Sequence, residues 1–241
     1  MKEYGRRKLK YFIAPELIPQ VKELITPYAE MDPFAKEREK YTYTIRSIYF
    51  DTINFDFYYE KLDGLKIRKK LRVRFYNEFD PEGTAFLEIK RRYNNQIVKE
   101  RTKVPLNQLE QICIQRTNPN GHVDVFSNGS VVMSKFLYNL TSLDLQPALL
   151  VTYEREPYVG LGDSSIRVTF DKNVRAFISP ELEDLFANNG FDFITNGRCI
   201  LEFKFNGFMP KWMRTAVAEL NIRTQSISKY CLGVNVCQNS C

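Results

Sequence analysis

The stretch IRKKLRVRF at residues 67–75 has the pattern from which the fold of this chain can be predicted. Its even-numbered residues are all basic (Arg68, Lys70, Arg72 and Arg74), and its odd-numbered residues are mostly apolar. A period of two is typical of a β-strand, because successive side chains point to opposite faces of a sheet. The stretch therefore predicts a strand with one apolar face and one wholly cationic face.

Other stretches alternate in the same way and also predict strands. They lie at residues 8–13, 86–92, 97–103, 165–171 and 200–205. The polar faces of these strands carry Lys or Arg, joined by Glu88 in one strand and by Glu202 in another. The cationic face is thus a repeated design rather than a feature of one strand.

Helical spacing of apolar residues separates the predicted strands. The helical patterns begin at Pro15, after Pro105, at Ser179-Pro180 and at Pro210, and a last segment covers residues 224–231. The best internal break is a Gly/Asn/Pro-rich loop at residues 117–129. Because strands of one type stand on both sides of it, we expect residues 1–241 to form a single α+β domain.

The cationic faces can lie in two environments. In an ordinary antiparallel sheet the polar face is in contact with water, and for any single strand this is the simpler interpretation. If the helices dock on the apolar faces and the sheet closes, the polar faces line the interior instead. A closed antiparallel barrel of about eight strands has room for side chains or one narrow ligand. We expect such a barrel here, with a polyanion inside it to balance the Lys and Arg charges.

Composition excludes several classes of protein. With 44% hydrophobic and 27% charged residues, the chain should bury a full core. No run approaches the ~20 apolar residues of a membrane-spanning helix, and the basic start has no apolar segment behind it to make a signal peptide. We therefore expect a cytoplasmic protein with no membrane segment of its own.

Charge and residue usage narrow the chemistry. The net charge of +6 favours an anionic partner. Nucleic acid ranks low among such partners, because no stacking aromatics recur among the basic residues. His122 is the only histidine, so chemistries with a histidine base or several histidine ligands are disfavoured. The cysteines, five in number and without a Cys-x-x-Cys pair, are expected to be reduced.

One predicted hairpin places like charges together. A two-residue turn at Asn94-Asn95 would set Lys90 opposite Lys99 and Glu88 opposite Arg101. At ~5 Å and an effective dielectric constant of ~20, the repulsion between two ammonium groups is about 3 kcal/mol. A site that holds phosphate between them has a reason to keep this pair.

Two carboxylates accompany the cations. Glu88 and Glu202 each stand two residues before a lysine, in Glu88-Ile89-Lys90 and Glu202-Phe203-Lys204. Each can form salt bridges with neighbours such as Arg101, or can hold Mg²⁺ or Mn²⁺ together with phosphate oxygens. The residues alone leave both readings open.

A series of short segments resembles the VTC domain, the polyphosphate polymerase domain of the vacuolar transporter chaperone within the triphosphate tunnel metalloenzymes. The resemblance covers about residues 10–233. The segments are Lys10-Tyr11, Ser47-Ile48-Tyr49-Phe50-Asp51-Thr52, Leu71-Arg72-Val73-Arg74, Leu87-Glu88-Ile89-Lys90, Lys99-Glu100-Arg101, Tyr153-Glu154-Arg155, Ile166-Arg167-Val168-Thr169-Phe170-Asp171, Leu201-Glu202-Phe203-Lys204, Pro210-Lys211-Trp212 and Ser228-Lys229-Tyr230.

This resemblance implies a tunnel-shaped barrel in which the γ-phosphate of ATP is transferred to a growing inorganic polyphosphate chain, with Mn²⁺ or Mg²⁺. The residues that it implies as phosphate contacts are Lys10, Arg72, Arg74, Lys90, Lys99, Arg155, Arg167 and Lys229. Glu202 would hold the metal, with Glu88 as a second metal ligand. Tyr153, Lys204 and Ser228 would support the bound substrate. Arg46 and Arg175 are interpreted as surface charges, and Trp212, Tyr49 and Phe50 as packing residues.

One departure from the family bears on the activity. Tunnel triphosphatases usually begin with Glu-x-Glu-x-Lys on the first strand, whereas this chain has Arg6-Arg7-Lys8-Leu9-Lys10. This favours a polymerase over a hydrolase of triphosphate or of an organic triphosphate. A non-catalytic polyphosphate-binding module is the alternative from a different class. We do not expect this polypeptide to supply membrane transport of the product.

Overall fold

The computed structural model describes residues 5–94, 96–109, 130–181 and 183–239. These residues form a mixed α/β structure around a largely antiparallel, ten-stranded sheet. The predicted loop at residues 117–129, with His122, lies outside the described residues. The α+β class is confirmed.

Every stretch predicted as a strand is a strand. The strands are β1 (Arg6–Ile13), β2 (Ala29–Met31), β3 (Tyr43–Asp51), β4 (Ile67–Tyr76), β5 (Thr84–Tyr93), β6 (Gln96–Pro105), β7 (Gln146–Gly160), β8 (Arg167–Ile178), β9 (Asp192–Phe193) and β10 (Cys199–Asn206). In β4 the alternation has the predicted effect, because Leu71, Val73 and Phe75 are buried while the basic residues between them are half-exposed.

The α-helices lie between these strands and after the last of them. They are α1 (Ile18–Ile25), α2 (Pro33–Lys36), α3 (Asp56–Leu62), α4 (Val131–Ser142), α5 (Lys211–Glu219) and α6 (Lys229–Asn239). The prolines at 15 and 210 begin helical segments as predicted, the first of them through a 3₁₀ turn at Pro15–Leu17. The helix expected from Ser179-Pro180 is wrong. Ser179 has a φ of 49°, and only a short 3₁₀ turn at Glu183–Phe186 follows it.

The predicted closure of the sheet is also wrong. The hydrogen-bonded strand order is β1-β10-β8-β7-β3-β4-β5-β6, with β2 paired to β7 and β9 to β8. Within the described residues β1 pairs only with β10 and β6 only with β5, so both remain edge strands. Both carry rows of Lys and Arg, and exposed charges of this kind discourage an edge strand from pairing further. The sheet is therefore open rather than a closed barrel.

The register of the predicted hairpin is confirmed. β5 ends at Tyr93 and β6 begins at Gln96, so the strands are joined by two residues. Asn94 has the positive φ of 54° that a tight hairpin turn requires. Lys90 lies opposite Lys99, and Glu88 lies opposite Arg101.

The contacts divide the chain into two compact units, each built from three separate segments. Unit 1 comprises residues 1–44, 152–175 and 193–232, and unit 2 comprises residues 45–151, 176–192 and 233–241. The single-domain interpretation stays a prediction. The core of unit 1 includes Tyr11, Ile25, Phe170, Phe203 and Met213. The core of unit 2 includes Ile48, Leu71, Leu87, Phe136 and Leu150.

Two predictions for single residues need correction. Arg46, expected at the surface, is only 6% exposed. Its guanidinium donates to the carbonyl oxygens of Leu185 and Ala187 and to Oδ1 of Asn188, so it fastens the segment around the 3₁₀ turn to β3. Tyr49 is buried but is more than a packing residue, because its hydroxyl accepts a hydrogen bond from Arg72, whereas Phe50 packs edge-on against Phe136 as expected.

Other sequence expectations agree with the structure. Trp212 stacks on Tyr28 with ring centroids 5.2 Å apart, which is a packing role. Cys199, Cys231 and Cys237 are buried and free, as expected of reduced thiols. In the part of the chain that the structure describes, every helix is too short or too polar to cross a bilayer.

Asp51 joins the end of β3 to the start of α3. Its carboxylate is fully buried and accepts backbone hydrogen bonds from Thr52 and Phe57 at Oδ1 and from Tyr58 at Oδ2. The amide of Phe57 lies in the first turn of the helix, where amides lack an acceptor within the helix, whereas the amide of Tyr58 also donates to the carbonyl oxygen of Phe55. One buried side chain therefore stabilises the whole strand-to-helix connection.

Replacing this carboxylate should destabilise the protein. We expect Asp51→Ala to lower the free energy of unfolding by about 3 kcal/mol, because it leaves buried amides without an acceptor. Chemical denaturation of both proteins measures the difference. Asp63→Ala, which removes an exposed carboxylate just after the same helix, should stay within about 0.5 kcal/mol of the wild type. Equal stabilities for the two variants would contradict this role.

Candidate functional site

A buried carboxylate organises the basic residues of unit 1. Asp171 on β8 is fully buried. The guanidinium of Arg155 on β7 binds it with Nε 2.7 Å from Oδ1 and Nη2 2.9 Å from Oδ2. The ammonium of Lys229, at the start of α6, donates to the same Oδ2. Two of the predicted phosphate contacts are thus brought together by an acid to which the sequence analysis gave no role.

The charges around Asp171 stabilise its ionised form. Burial alone would raise the pKa of the Asp171 carboxyl, but the charges of Arg155 and Lys229 outweigh burial and hold that pKa well below its ordinary value. Burial would lower the pKa of Lys229, yet Asp171 raises it. The ring of Tyr153 lies 4.3 Å from Nζ of Lys229 and 5.3 Å from Cζ of Arg155, so it packs against both cations.

Glu202 on β10 is another buried acid of unit 1, with 6% exposure. Its Oε1 lies 2.8 Å from Nζ of Lys204, and its Oε2 lies 3.6 Å from Nζ of Lys10, which also donates to the carbonyl oxygen of Ile227. Burial would raise the pKa of Glu202, but the charges of Lys204 and Lys10 hold it well below its ordinary value. Burial lowers the pKa of Lys204 to about 8, because the attraction of Glu202 offsets only part of it.

The neighbourhood of Glu202 also contains an unused hydroxyl. Glu202 pairs in register with Lys10 on one side and with Thr169 on the other. Thr169 is 3% exposed, and its Oγ1 has no hydrogen-bond partner in the described residues. A buried polar atom without a partner is uncommon, and a ligand can satisfy it.

The remaining predicted residues of unit 1 lie at the borders of this cluster. Arg167 pairs in register with Lys204 and forms an ion pair with Asp32. Ser228 precedes α6, and its Oγ accepts a hydrogen bond of 3.4 Å from the amide of Cys231. We define Lys10, Tyr153, Arg155, Arg167, Thr169, Asp171, Glu202, Lys204, Ser228 and Lys229 as the unit 1 cluster.

In unit 2 a third acid holds the basic residues together. Glu88 on β5 accepts from Nε and Nη2 of Arg72 at 2.6 and 2.5 Å, and its Oε1 lies 3.4 Å from Nε of Arg101. Burial would raise the pKa of Glu88, but the charges of Arg72, Arg74 and Arg101 lower it. Of the two interpretations of Glu88, a salt-bridge partner or a metal ligand, the structure shows the salt bridges.

Tyr49 supports the same arginine from β3. Its hydroxyl accepts a 3.0 Å hydrogen bond from Nη1 of Arg72, and the neighbouring Arg74 donates to Oγ of Ser47 at 3.2 Å. Burial would raise the pKa of Tyr49, but the charges of Arg72, Arg74 and Lys70 lower it to about 8. Arg72 is thus held from both neighbouring strands, and Arg74 is held from β3.

A row of lysines crosses three strands of unit 2. Lys90 on β5 lies opposite Lys99 on β6 and, on its other side, opposite Lys70 on β4. Neighbouring strands are about 4.8 Å apart, so the three lysine side chains project side by side from the same face of the sheet. We define Ser47, Tyr49, Lys70, Arg72, Arg74, Glu88, Lys90, Lys99 and Arg101 as the unit 2 cluster.

The chemistry of both clusters is that of anion binding. Across residues 5–94, 96–109, 130–181 and 183–239, no three His, Cys, Asp or Glu side chains come close enough to hold a metal ion by themselves. Glu88 and Glu202 are each ion-paired instead. Arginine and lysine held in place on a sheet face bind phosphate oxygens through charge-assisted hydrogen bonds.

Sequence reasoning missed Asp171, Thr169 and Tyr49 as members of these clusters. A signal was present for the first two, because alternation along β8 places Thr169 and Asp171 on the same face as Arg167. For Tyr49, the position opposite Arg72 becomes visible only once β3 is paired with β4.

The fold and the two clusters define a mixed α/β protein whose antiparallel sheet carries basic side chains held by carboxylates. The chain belongs to the VTC domain family, because the sequence model of that family matches residues 5–238. The resemblance found in the sequence is therefore confirmed over nearly the whole chain.

A solved structure has a similar fold. It is that of a proposed adenylyl cyclase from Hippeastrum, described as having a dominant triphosphatase activity. The two are similar over 94% of this chain and 93% of that chain, with a TM-score of 0.51 and 10% sequence identity. At this identity the likeness concerns the fold alone.

Neutralising Asp171 should be costly. We expect Asp171→Asn to lower the free energy of unfolding by about 3–5 kcal/mol at pH 7, because it leaves Arg155 and Lys229 buried without their counter-charge. A group whose pKa is depressed by folding stabilises the protein fully above its unfolded pKa of about 4 and loses this effect as the pH falls. The gap between variant and wild type should therefore shrink below about pH 4.

Denaturation curves across this pH range measure the effect. Glu30→Gln removes the same charge at an exposed position of unit 1 and should change stability little at any pH. A difference between Asp171→Asn and wild type that stays constant down to the lowest pH would contradict the assignment.

Tyr49 should ionise early. We expect one tyrosine to develop tyrosinate absorbance near pH 8 rather than near 10, because three cations favour its charged form. An ultraviolet absorbance titration of the wild type and of Tyr49→Phe measures this step, which the variant should lack. Tyr59→Phe, which changes an exposed tyrosine of the same unit, should retain it. A step near pH 8 in both variants would place it on another tyrosine.

Proposed function

We propose that this protein is a polyphosphate polymerase that transfers the γ-phosphate of ATP to an inorganic polyphosphate chain. The observation that carries the proposal is the row of Lys70, Lys90 and Lys99 directly opposite one another, in a chain that belongs to the VTC domain family. Like charges in this position destabilise a sheet unless an anion lies between them. A linear phosphate chain supplies a negative charge at each step along such a row.

The arginines of both clusters suit this substrate. Arg72 is held by Glu88 through Nε and Nη2 and by Tyr49 through Nη1, which fixes the direction of its guanidinium group. Arg155 is held by Asp171 in the same manner. Guanidinium groups held in place lose little freedom when they bind, and phosphoryl transfer depends mainly on positioning and charge neutralisation.

The oxygen donors near Glu202 suit a divalent ion. The Glu202 carboxylate and the unpartnered hydroxyl of Thr169 lie opposite each other in register, and both are hard oxygen ligands of the kind that Mg²⁺ and Mn²⁺ prefer. We propose that they hold the ion together with phosphate oxygens, and that Glu88 contributes in unit 2. A bound divalent ion supplies charge neutralisation on the transferring phosphate.

The transfer is balanced without a further reactant. An oxygen of the terminal phosphate of the chain forms a bond to the γ-phosphorus of ATP, while the bond from that phosphorus to the β–γ bridging oxygen breaks. ADP leaves with the electron pair of the broken bond. Because a terminal phosphate oxygen is already negatively charged, no histidine base is required.

The main alternative is hydrolysis, with water in place of the phosphate chain. The triphosphatase activity described for the Hippeastrum protein favours it. The first strand argues against it, since Arg6 and Lys8, which pair in register with Asn206 and Lys204, stand where the two acids of a Glu-x-Glu-x-Lys motif would be expected. A module that only binds polyphosphate is the remaining outcome.

Incubation with ATP and Mn²⁺, with and without a short polyphosphate primer, tests the proposal. Products are resolved on a denaturing gel stained for polyphosphate, and ADP and orthophosphate are measured in parallel. We expect a growing ladder with ADP release, which Lys90→Ala and Glu202→Gln reduce by about ten- to a hundredfold, as expected for the loss of one charge-assisted contact. Lys36→Ala, which removes an exposed lysine outside both clusters, should leave the rate unchanged.

The other outcomes assign the protein elsewhere. Orthophosphate release without a ladder would make it a triphosphatase. Binding of polyphosphate with no turnover, in the presence of either Mn²⁺ or Mg²⁺, would leave a binding module and overturn the proposal.

A further inference from the structure

Unit 2 contains a cavity of about 230 Å³ where β4 ends and β5 begins. Its walls are mostly aromatic or apolar, and the acids Glu78 and Asp80 stand at the same cavity. The apolar walls are formed by Phe75, Tyr76, Phe86, Leu106 and Phe186. None of these residues has a role in the proposed reaction.

This cavity adjoins the unit 2 cluster. Phe86 lies opposite Arg74 in register and two residues before Glu88 on β5. The guanidinium carbon of Arg101 lies 3.5 Å from the centroid of the Phe86 ring, and Tyr76 packs edge-on against that ring. A phosphate bound by Arg74 or Arg101 is therefore next to the aromatic wall of the cavity.

The cavity itself does not suit a phosphate. The carboxylates of Glu78 and Asp80 repel anions, and the described residues that line the cavity include no Lys or Arg. Asp80 is partly engaged, since its Oδ1 accepts from the amide of Glu82. Glu78 is exposed at the cavity, and a carboxylate there can accept a hydrogen bond. The two acids are too few to hold a metal ion by themselves. An uncharged aromatic ring that carries an N–H donor matches these walls.

We propose that this cavity binds the nucleobase of ATP, with the ring against Phe86 and Tyr76 and the exocyclic amino group donating to Glu78. The inference rests on the proposed function and names the part of the substrate that the cations do not contact. The cavity is smaller than the ~300–1,000 Å³ of sites for drug-sized ligands, so it takes one ring system rather than a whole nucleotide. It would orient ATP, with the base in the cavity and the phosphates along the basic face.

Binding measurements on three ligands test the proposal. Isothermal titration calorimetry gives the dissociation constants of ATP, inosine triphosphate and inorganic tripolyphosphate for the wild type. Inosine triphosphate has the same charge as ATP but lacks the exocyclic amino group. We expect the wild type to bind ATP several-fold more tightly than inosine triphosphate, and Glu78→Ala to abolish that preference.

Filling the cavity gives an independent readout. Thr84 lines the cavity at the exposed start of β5. Thr84→Trp should weaken ATP about tenfold or more, since stacking of a base on an aromatic side chain contributes on this scale. Tripolyphosphate, which has no base, should bind as before, and Thr84→Ser should behave as the wild type with both ligands. Circular dichroism checks that each variant is folded.

The results separate this inference from the proposed function. Equal affinities for ATP and inosine triphosphate in the wild type would overturn the base site while leaving the phosphate site intact. Parallel changes for ATP and tripolyphosphate in folded Thr84→Trp would also overturn it. Failure of the wild type to bind any of the three ligands would overturn the proposed function, and the base site with it.

Discussion

The basic faces of the sheet depend on three acids that each pair with two basic side chains. Asp171 holds Arg155 and Lys229, and Glu202 holds Lys204 and Lys10. Glu88 does the same for Arg72 and Arg101. Without these carboxylates, neighbouring strands would bring unscreened cations within about 5 Å of one another. The acids make a basic sheet face compatible with a folded protein, and they also hold the arginines in the geometry needed to bind an anion.

The basic faces also place like charges opposite one another in register. The row of Lys70, Lys90 and Lys99 brings together like charges in register, as do Lys8 and Lys204 on the other unit's strands. Sheets seldom keep such pairs for stability alone, because each costs free energy. A bound polyanion, as in the proposed function, would offset this repulsion. Membership of the VTC domain family and the basic faces lead to the same class of substrate by independent routes.

Three polar side chains, Glu88, Glu202 and Thr169, bear on the proposed metal site. The sequence left open whether Glu88 and Glu202 form salt bridges or hold a metal ion. In the structure, both form salt bridges. Glu202 lies opposite Thr169, whose hydroxyl has no hydrogen-bond partner among the described residues and is a second oxygen ligand at that position. The described residues show no such hydroxyl beside Glu88. The open edge strands β1 and β6 differ from the closed barrel that the alternating pattern suggested. Alternation predicts which face of a strand is polar, but it contains no information on which strands pair.

The sequence by itself determined the strands with two distinct faces, the hairpin register and the family. Period-two alternation is a local property, and the Asn94-Asn95 turn sets β5 against β6 without help from the rest of the chain. Helices α3 and α4 were not predicted. The fully buried parts of β3 and β7 were not predicted either, because burial on both faces of a strand removes the alternation. Only the tertiary structure decided that Asp171 joins Arg155 to Lys229, that Arg46 is buried and that Tyr49 supports Arg72. Those contacts join residues 16 to 141 positions apart, and such pairings depend on the packing of whole elements rather than on any local pattern.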